Sequence, residues 1–320
     1  MNVPLNGSSN PKANITTRYV RKFRKLKSFF HLVRKDRKLA IVSAKNYTLR
    51  WVSVLTPIQI KNYVRQLDLF PQIRSEDSWV LSRVACLGND VWEELNLTRR
   101  GWKRINLAKC RADLFLTLLS GRYPKKPSNS AKVYLDRADI WPNIIEQGYI
   151  RWMGLKPPEF ILFDSFSELT DQKFLIVKDS AEFYCNYSDV KKTFLDEGVI
   201  VSKELLSLEE LEKLYEDLFC ALWKLWPNVS IFFIHFPSDL ETRQLFRDRA
   251  DRILQVVKGL GKKYTSLITI VIPHNIVERP EVESSNLLNF PYHYSSATKT
   301  FCADKIRQYQ KSLIPAKKTS

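Results

Sequence analysis

Residues 230–273 read SIFFIHFPSDLETRQLFRDRADRILQVVKGLGKKYTSLITIVIP, and the architecture follows from this stretch. Its two ends, Ser230–His235 and Leu267–Pro273, are unalternating apolar runs, the character of strands buried on both faces. Between them Phe246, Ala250, Ile253, Val257 and Leu260 recur at steps of three and four, which is the period of a helix with one apolar face. Ser238-x-x-Glu241 predicts a capping box at its start, and Gly259 and Gly261 predict its close. A strand, a helix and a second buried strand make a crossover unit with parallel strands.

The same alternation extends in both directions. Upstream, Phe160–Phe163 (FILF) and Lys38–Ser43 (KLAIVS) read as strands, and Ser78–Cys86 reads as another. Helical periods cover Thr56–Phe70, Arg111–Ser120 and Ala138–Trp152. A further helix carries Leu208, Leu211, Leu214, Leu218 and Leu222 behind the capping box Ser207-x-x-Glu210. A last helix is predicted from about Ser296 to Leu313. The fold class is therefore α/β, an open, doubly wound, mostly parallel sheet of flavodoxin-like sandwich form. One domain is expected over 38–313. Residues 1–37 form a polar tail followed by a basic amphipathic helix, in which Tyr19, Phe23, Leu26, Phe30 and Val33 alternate with Arg and Lys. Residues 314–320 form a short basic tail.

Composition removes several classes. Of 320 residues, 44% are hydrophobic and 27% charged, which excludes a chain disordered throughout and a disulfide scaffold. The apolar runs are too short to span a bilayer, and the first thirty residues lack the h-region of a secretory leader. Five scattered cysteines, none in C-x-x-C, suit a reducing cytoplasm. The net charge of +17 suggests nucleic acid until it is mapped. Residues 1–50 contribute +12 and residues 299–320 contribute +5, so the body between them is neutral. A neutral body argues against a basic groove for DNA or RNA. The basic helix reads either as an anchor on an anionic membrane face or as an ordinary surface helix.

No G-x-G-x-x-G, Walker loop, H-E-x-x-H or G-x-S-x-G is present, so no cofactor and no metal is called for. What remains is position. In an open α/β sheet, ligands sit beyond the carboxyl ends of the strands. Ser43 stands there after KLAIV, Asp164 after FILF, His235 after SIFFI and His274 after ITIVIP, while His293 precedes the last helix. Asp164, Ser165 and Glu168 open the polar stretch DSFSELTDQKF (164–174). They fit either a binding site for sugar hydroxyls or a capped helix start, Ser165-x-x-Glu168.

The closing segment PYHYSSATKTFCADKI (291–306) resembles the last catalytic block of SGNH-type hydrolases, as found in bacterial proteins that modify capsule and surface polysaccharides. His293 takes the place of that family's catalytic histidine, and Ser295 and Ser296 resemble the polar opening of its terminal helix. KLAIVS is similar to the nucleophile block, with Ser43 as nucleophile, and EFILFDSFSELTDQKF resembles the family's strand and acidic loop. The chain departs from the pattern at Val42, where the family has Gly, and at Phe290, where it has an acid. Gly88-Asn89-Asp90 holds the letters of the oxyanion block at a different spacing.

The resemblance implies an SGNH-like esterase or O-acyltransferase acting on a carbohydrate. Ser43 would be nucleophile, His293 general base, and Asp164, Ser165, Glu168 and His235 would line the substrate. The departures leave open a non-catalytic protein of the same fold that binds glycan or a partner.

Overall fold

The computed structural model describes residues 77–98, 102–146, 156–280 and 292–312. The expected helices at 17–37 and Thr56–Phe70 and the strand Lys38–Ser43, Ser43 included, lie outside the described residues. So do residues 314–320.

Five parallel strands make the central sheet: β1 (Trp79–Arg83), β2 (Lys103–Asn106), β3 (Ile161–Asp164), β7 (Ile231–Ile234) and β8 (Leu267–Ile270), in the order β2-β1-β3-β7-β8. Ordered along the chain, this is the 2-1-3-4-5 arrangement of flavodoxin-like sheets. The mixed α/β class and the mostly parallel sheet are thus as expected. β3, β7 and β8 fall within a residue or so of the apolar runs that marked them, apart from the three residues Val271–Pro273 that follow β8. The run Ser78–Cys86 is strand only as far as Arg83, and Cys86 already opens helix α1 (Cys86–Thr98).

Adjacent residues of β3 and β7 face opposite helix layers, which explains their continuous apolar character. Phe163 packs on Phe115 of α2 (Ala112–Leu119) and on Phe219 of α5 (Leu208–Leu225). Phe233 meets Tyr215 of α5 edge-on. Turned the other way, Phe232 meets Phe160 and Tyr309 of α7 (Ser296–Ser312). Phe160 also contacts Trp102, which stacks on Trp92 of α1.

A second sheet was not foreseen. β4 (Asp171–Ile176), β5 (Ala181–Asn186) and β6 (Val199–Lys203) form an antiparallel sheet, ordered β5-β4-β6, inserted after the short helix α4 (Phe166–Thr170). Phe174, Ile176, Phe183 and Cys185 share a small core with Ala131, Leu135, Ile140 and Trp141. The helix expected over Ala138–Trp152 is described as a 3₁₀ turn, Ala138–Ile140, followed by α3 (Trp141–Glu146).

The two expected capping boxes divide. Ser207 and Glu210 cap each other's backbone amides at 3.2 and 3.0 Å. At Ser238-x-x-Glu241 no helix starts. Helix α6 (Gln244–Lys263) begins after Arg243 and runs through both Gly259 and Gly261. Among the described residues no helix is long and apolar enough to cross a membrane.

Candidate functional site

In a 2-1-3-4-5 sheet, the chain leaves β1 towards one side and β3 towards the other, which opens a crevice at their carboxyl ends. Loop 84–86 forms its floor and is held from both flanks. From β2, Asn106 accepts hydrogen bonds from Ser82 Oγ (2.9 Å) and the Val84 amide (3.2 Å). From β3, Asp164 Oδ2 accepts the Ala85 amide at 2.6 Å, while its Oδ1 accepts the Phe166 amide at 3.1 Å. Gly88 completes the corner. A Cβ there would stand 2.3 Å from Val84 Cβ and 3.0 Å from Asp164 Oδ2, so only glycine lets the first helical turn close on its own loop.

This corner presents Cys86, exposed at the start of α1. Its surroundings push the thiol above its ordinary range, first by desolvation, then through Asp164 and Asp90, with Lys109 and Arg137 acting in opposition. His293 reaches the same field from the segment before α7. It is half-buried, and desolvation holds its imidazole below the ordinary value. Asp90 raises it, and Lys299 and Arg137 lower it further. Asp90 is ion-paired with Lys299 at 3.0 Å. Arg137, 54% exposed and paired with Asp139 at 2.6 Å, couples electrostatically to both Cys86 and His293. Cys86 and His293 thus share two charged neighbours, Asp90 and Arg137.

The other sequence-predicted residues lie beneath this surface. Asp164 is 2% exposed, and burial raises its carboxyl to about 7 against the two amides it accepts. Ser165 is buried, and its Oγ accepts the Phe236 amide at 3.0 Å, joining the ends of β3 and β7. Glu168 does not cap its own helix. Its carboxylate takes both Arg83 Nη atoms (2.6 and 2.9 Å), the Tyr215 hydroxyl (2.8 Å) and the Ala112 amide (2.9 Å). Burial alone would lower the Arg83 guanidinium, but Glu168 beside it raises it above its ordinary range. His235 is buried too, with its imidazole lowered to about 4 by desolvation. Asp164, Ser165 and Glu168 therefore stand as the underlay of the edge, holding its loops in register, and His235 is buried among them with Nδ1 making no hydrogen bond to the described residues. His274, in the 3₁₀ turn His274–Ile276 after β8, is exposed and bonded to Asp239.

Neither a protein-family model nor a curated protein matches this sequence. Solved structures with a similar chain path include a GDSL-like lipase from Bacteroides ovatus (12% identity, TM-score 0.37, 74% of this chain and 53% of that one). A family two carbohydrate esterase from Clostridium thermocellum gives 12% identity and a TM-score of 0.38, covering 74% of this chain and 64% of that one. A salicylyl-acyltransferase from a tetracycline biosynthetic pathway gives 10% and 0.36, covering 76% and 56%. This chain thus matches only about half to two thirds of the length of these three proteins.

Of the residues gathered at this corner, sequence reading passed over Cys86, Asn106 and Arg137, and it noted Asp90 only within Gly88-Asn89-Asp90. The available signal was the run WVLSR followed by VACLGND, where a strand turns into a helix through a small-residue corner. Among the described residues no group of three or more His, Cys, Asp or Glu side chains is arranged to hold a metal ion.

Proposed function

We propose that the chain is an SGNH-like esterase or O-acyltransferase acting on a carbohydrate ester, with its site at the β1–β3 crevice. The observation that carries this reading is the exposed Cys86 at that crevice, in one electrostatic field with the neutral His293. His293 takes the thiol proton as the sulfur attacks the acyl carbonyl. A C–S bond forms, the sugar oxygen departs, and His293 returns the proton to it. Water or a second sugar hydroxyl then receives the acyl group by the reverse sequence. The amides that open α1 would stabilise the oxyanion. Ser43 remains the second candidate for the nucleophile, in the same partnership with His293. The basic segment 17–37 would seat the protein on an anionic membrane face.

The test is turnover of p-nitrophenyl acetate and of an acetylated oligosaccharide, with mass spectrometry of the trapped acyl-enzyme. Acylation on the peptide bearing Cys86, abolished in Cys86→Ala and retained in Ser43→Ala, is the expected result. The reverse pattern assigns the role to Ser43. Turnover equal in the wild type and in both variants would overturn the reading. One observation favours the rival, a non-catalytic glycan- or partner-binding protein. Desolvation, and after it the carboxylates of Asp164 and Asp90, makes the Cys86 thiolate harder to form.

A further inference from the structure

The residues on either side of His293 are both buried, Tyr292 at 4% and Tyr294 at 2% exposure, and both phenols bond to the loop after β7. Tyr292 donates to Glu241 Oε2 at 2.7 Å, and Tyr294 donates to the Pro237 carbonyl at 3.2 Å. Glu241, 3% exposed, also accepts the amide, Nε and Nη2 of Arg243 at 2.9, 2.8 and 2.8 Å. Around them Tyr292 meets Phe166 edge-on with ring centres 5.2 Å apart, and Phe236 lies against both tyrosines at 6.0 and 5.9 Å.

We propose that Glu241, clamped by Arg243, and Tyr292 are positioning residues for His293, fixing its backbone and with it the place of its imidazole ahead of α7. The proposal rests on the reading of His293 as general base. Packing alone does not require these groups. A phenylalanine at 292 would fill the same space between Phe166 and Phe236, whereas the hydroxyl and the buried carboxylate together fix the ring's rotation and the chain's path. With both flanking side chains tied to one loop, little backbone freedom is left to the residue between them. His293 meets charges from elsewhere instead: Asp90 of α1, Lys299 of α7 and Arg137 ahead of the 3₁₀ turn Ala138–Ile140.

Selective ¹⁵N-histidine labelling tests this, with the His293 resonance assigned through His293→Gln. In Tyr292→Phe and Glu241→Ala the imidazole signals of His293 should shift and broaden, and its titration should move towards that of a free histidine. Glu241→Gln, which still accepts the Tyr292 hydroxyl, should restore most of the wild-type signal. Turnover of an acyl ester should lose kcat by about 10- to 100-fold in Tyr292→Phe and Glu241→Ala, with KM within about twofold, as for a displaced but intact catalytic group. A lowered Tm with unchanged His293 signals would overturn the proposal and leave the anchor as packing. If the wild type turns over no ester, the reading of function fails, while the imidazole signals still decide the anchor.

Discussion

Ser207-x-x-Glu210 and Ser238-x-x-Glu241 carry the same two residues at the same spacing, each a few residues before an amphipathic helical period. At the first, the local motif is realised. Ser207 and Glu210 are exposed, bond each other's amides, and meet one outside partner, Lys203 at 3.0 Å. At the second, Ser238 turns instead to Asp251 at 3.2 Å, and Glu241 is buried between Arg243 and Tyr292. A third copy, Ser165-x-x-Glu168, goes the same way, with Glu168 drawn to Arg83 and Tyr215. The difference is tertiary. A capping box is worth about 1 kcal/mol, and a buried cation or phenol within reach of the glutamate outweighs it, because a buried carboxylate must be fully partnered.

The largest effect expected from this contrast is at Glu168. Glu168→Ala leaves the Arg83 guanidinium, 2% exposed, without its counter-charge. Breaking one side of a buried pair costs about 3–5 kcal/mol, which urea unfolding would read directly. Arg83→Met with Glu168→Leu should lose clearly less than Glu168→Ala, because no charge is then stranded. A loss under 1 kcal/mol in Glu168→Ala would mean that the glutamate acts as an ordinary cap after all.

Glu241 should show its difference from Glu210 in acid. Burial pushes its carboxyl up, but Arg243 and Tyr292 outweigh burial and hold it at about 2. An unfolded glutamate titrates near 4.3. Between those values the unfolded chain binds the extra proton, so this contribution is complete above about pH 4.3 and lost as pH falls to about 2. Stability of the wild type should therefore fall more steeply through that window than stability of Glu241→Gln. Parallel curves would remove the ionised clamp from the account.

His235 sharpens the same lesson with the opposite charge. Desolvation holds its imidazole at about 4, and Lys258 adds to the depression. The unfolded residue gains its proton near 6.5. Stability from a neutral His235 is thus full above about pH 6.5 and lost on descent to about pH 4. Thermal melts of His235→Gln should be flatter over that range than those of the wild type.

The parallel sheet was readable because strands buried on two faces leave unbroken apolar runs, as in IFFI and LITI. β2 (KRIN) escaped because three of its four residues are only half-buried at a sheet edge. The antiparallel insert escaped because β4 carries Asp171, Gln172 and Lys173 ahead of its three apolar residues, and its hairpin turns through Ser180 at φ 47° without the Asn-Gly or Asp-Gly that marks such turns. For the site, position at strand ends brought out Asp164 and His235, and position ahead of the last helix brought out His293. It did not separate side chains that face the crevice from those that hold its floor, since burial at a strand end depends on neighbours distant in sequence. Cys86 was hidden by reading the first strand three residues too long.

The smallest effect belongs to the motif that behaves as its sequence says. Ser207→Ala removes one acceptor, so the Glu210 amide loses its side-chain partner at the start of α5. The helix has eighteen residues and buries Leu211, Tyr215, Leu218, Phe219 and Leu222, so its packing does not hinge on the cap. The expected loss is about 1 kcal/mol, with Ser207→Asp close to neutral because a carboxylate accepts the same amide and meets the positive end of the helix dipole. The Ser238→Ala substitution is the paired control. Ser238 caps no helix, and its exposed bond to Asp251 should be worth well under 1 kcal/mol. Equal losses at Ser207 and Ser238 in chemical denaturation would dissolve the distinction between a realised cap and a recruited glutamate. A loss confined to Ser207 would leave it standing at the level of a single hydrogen bond.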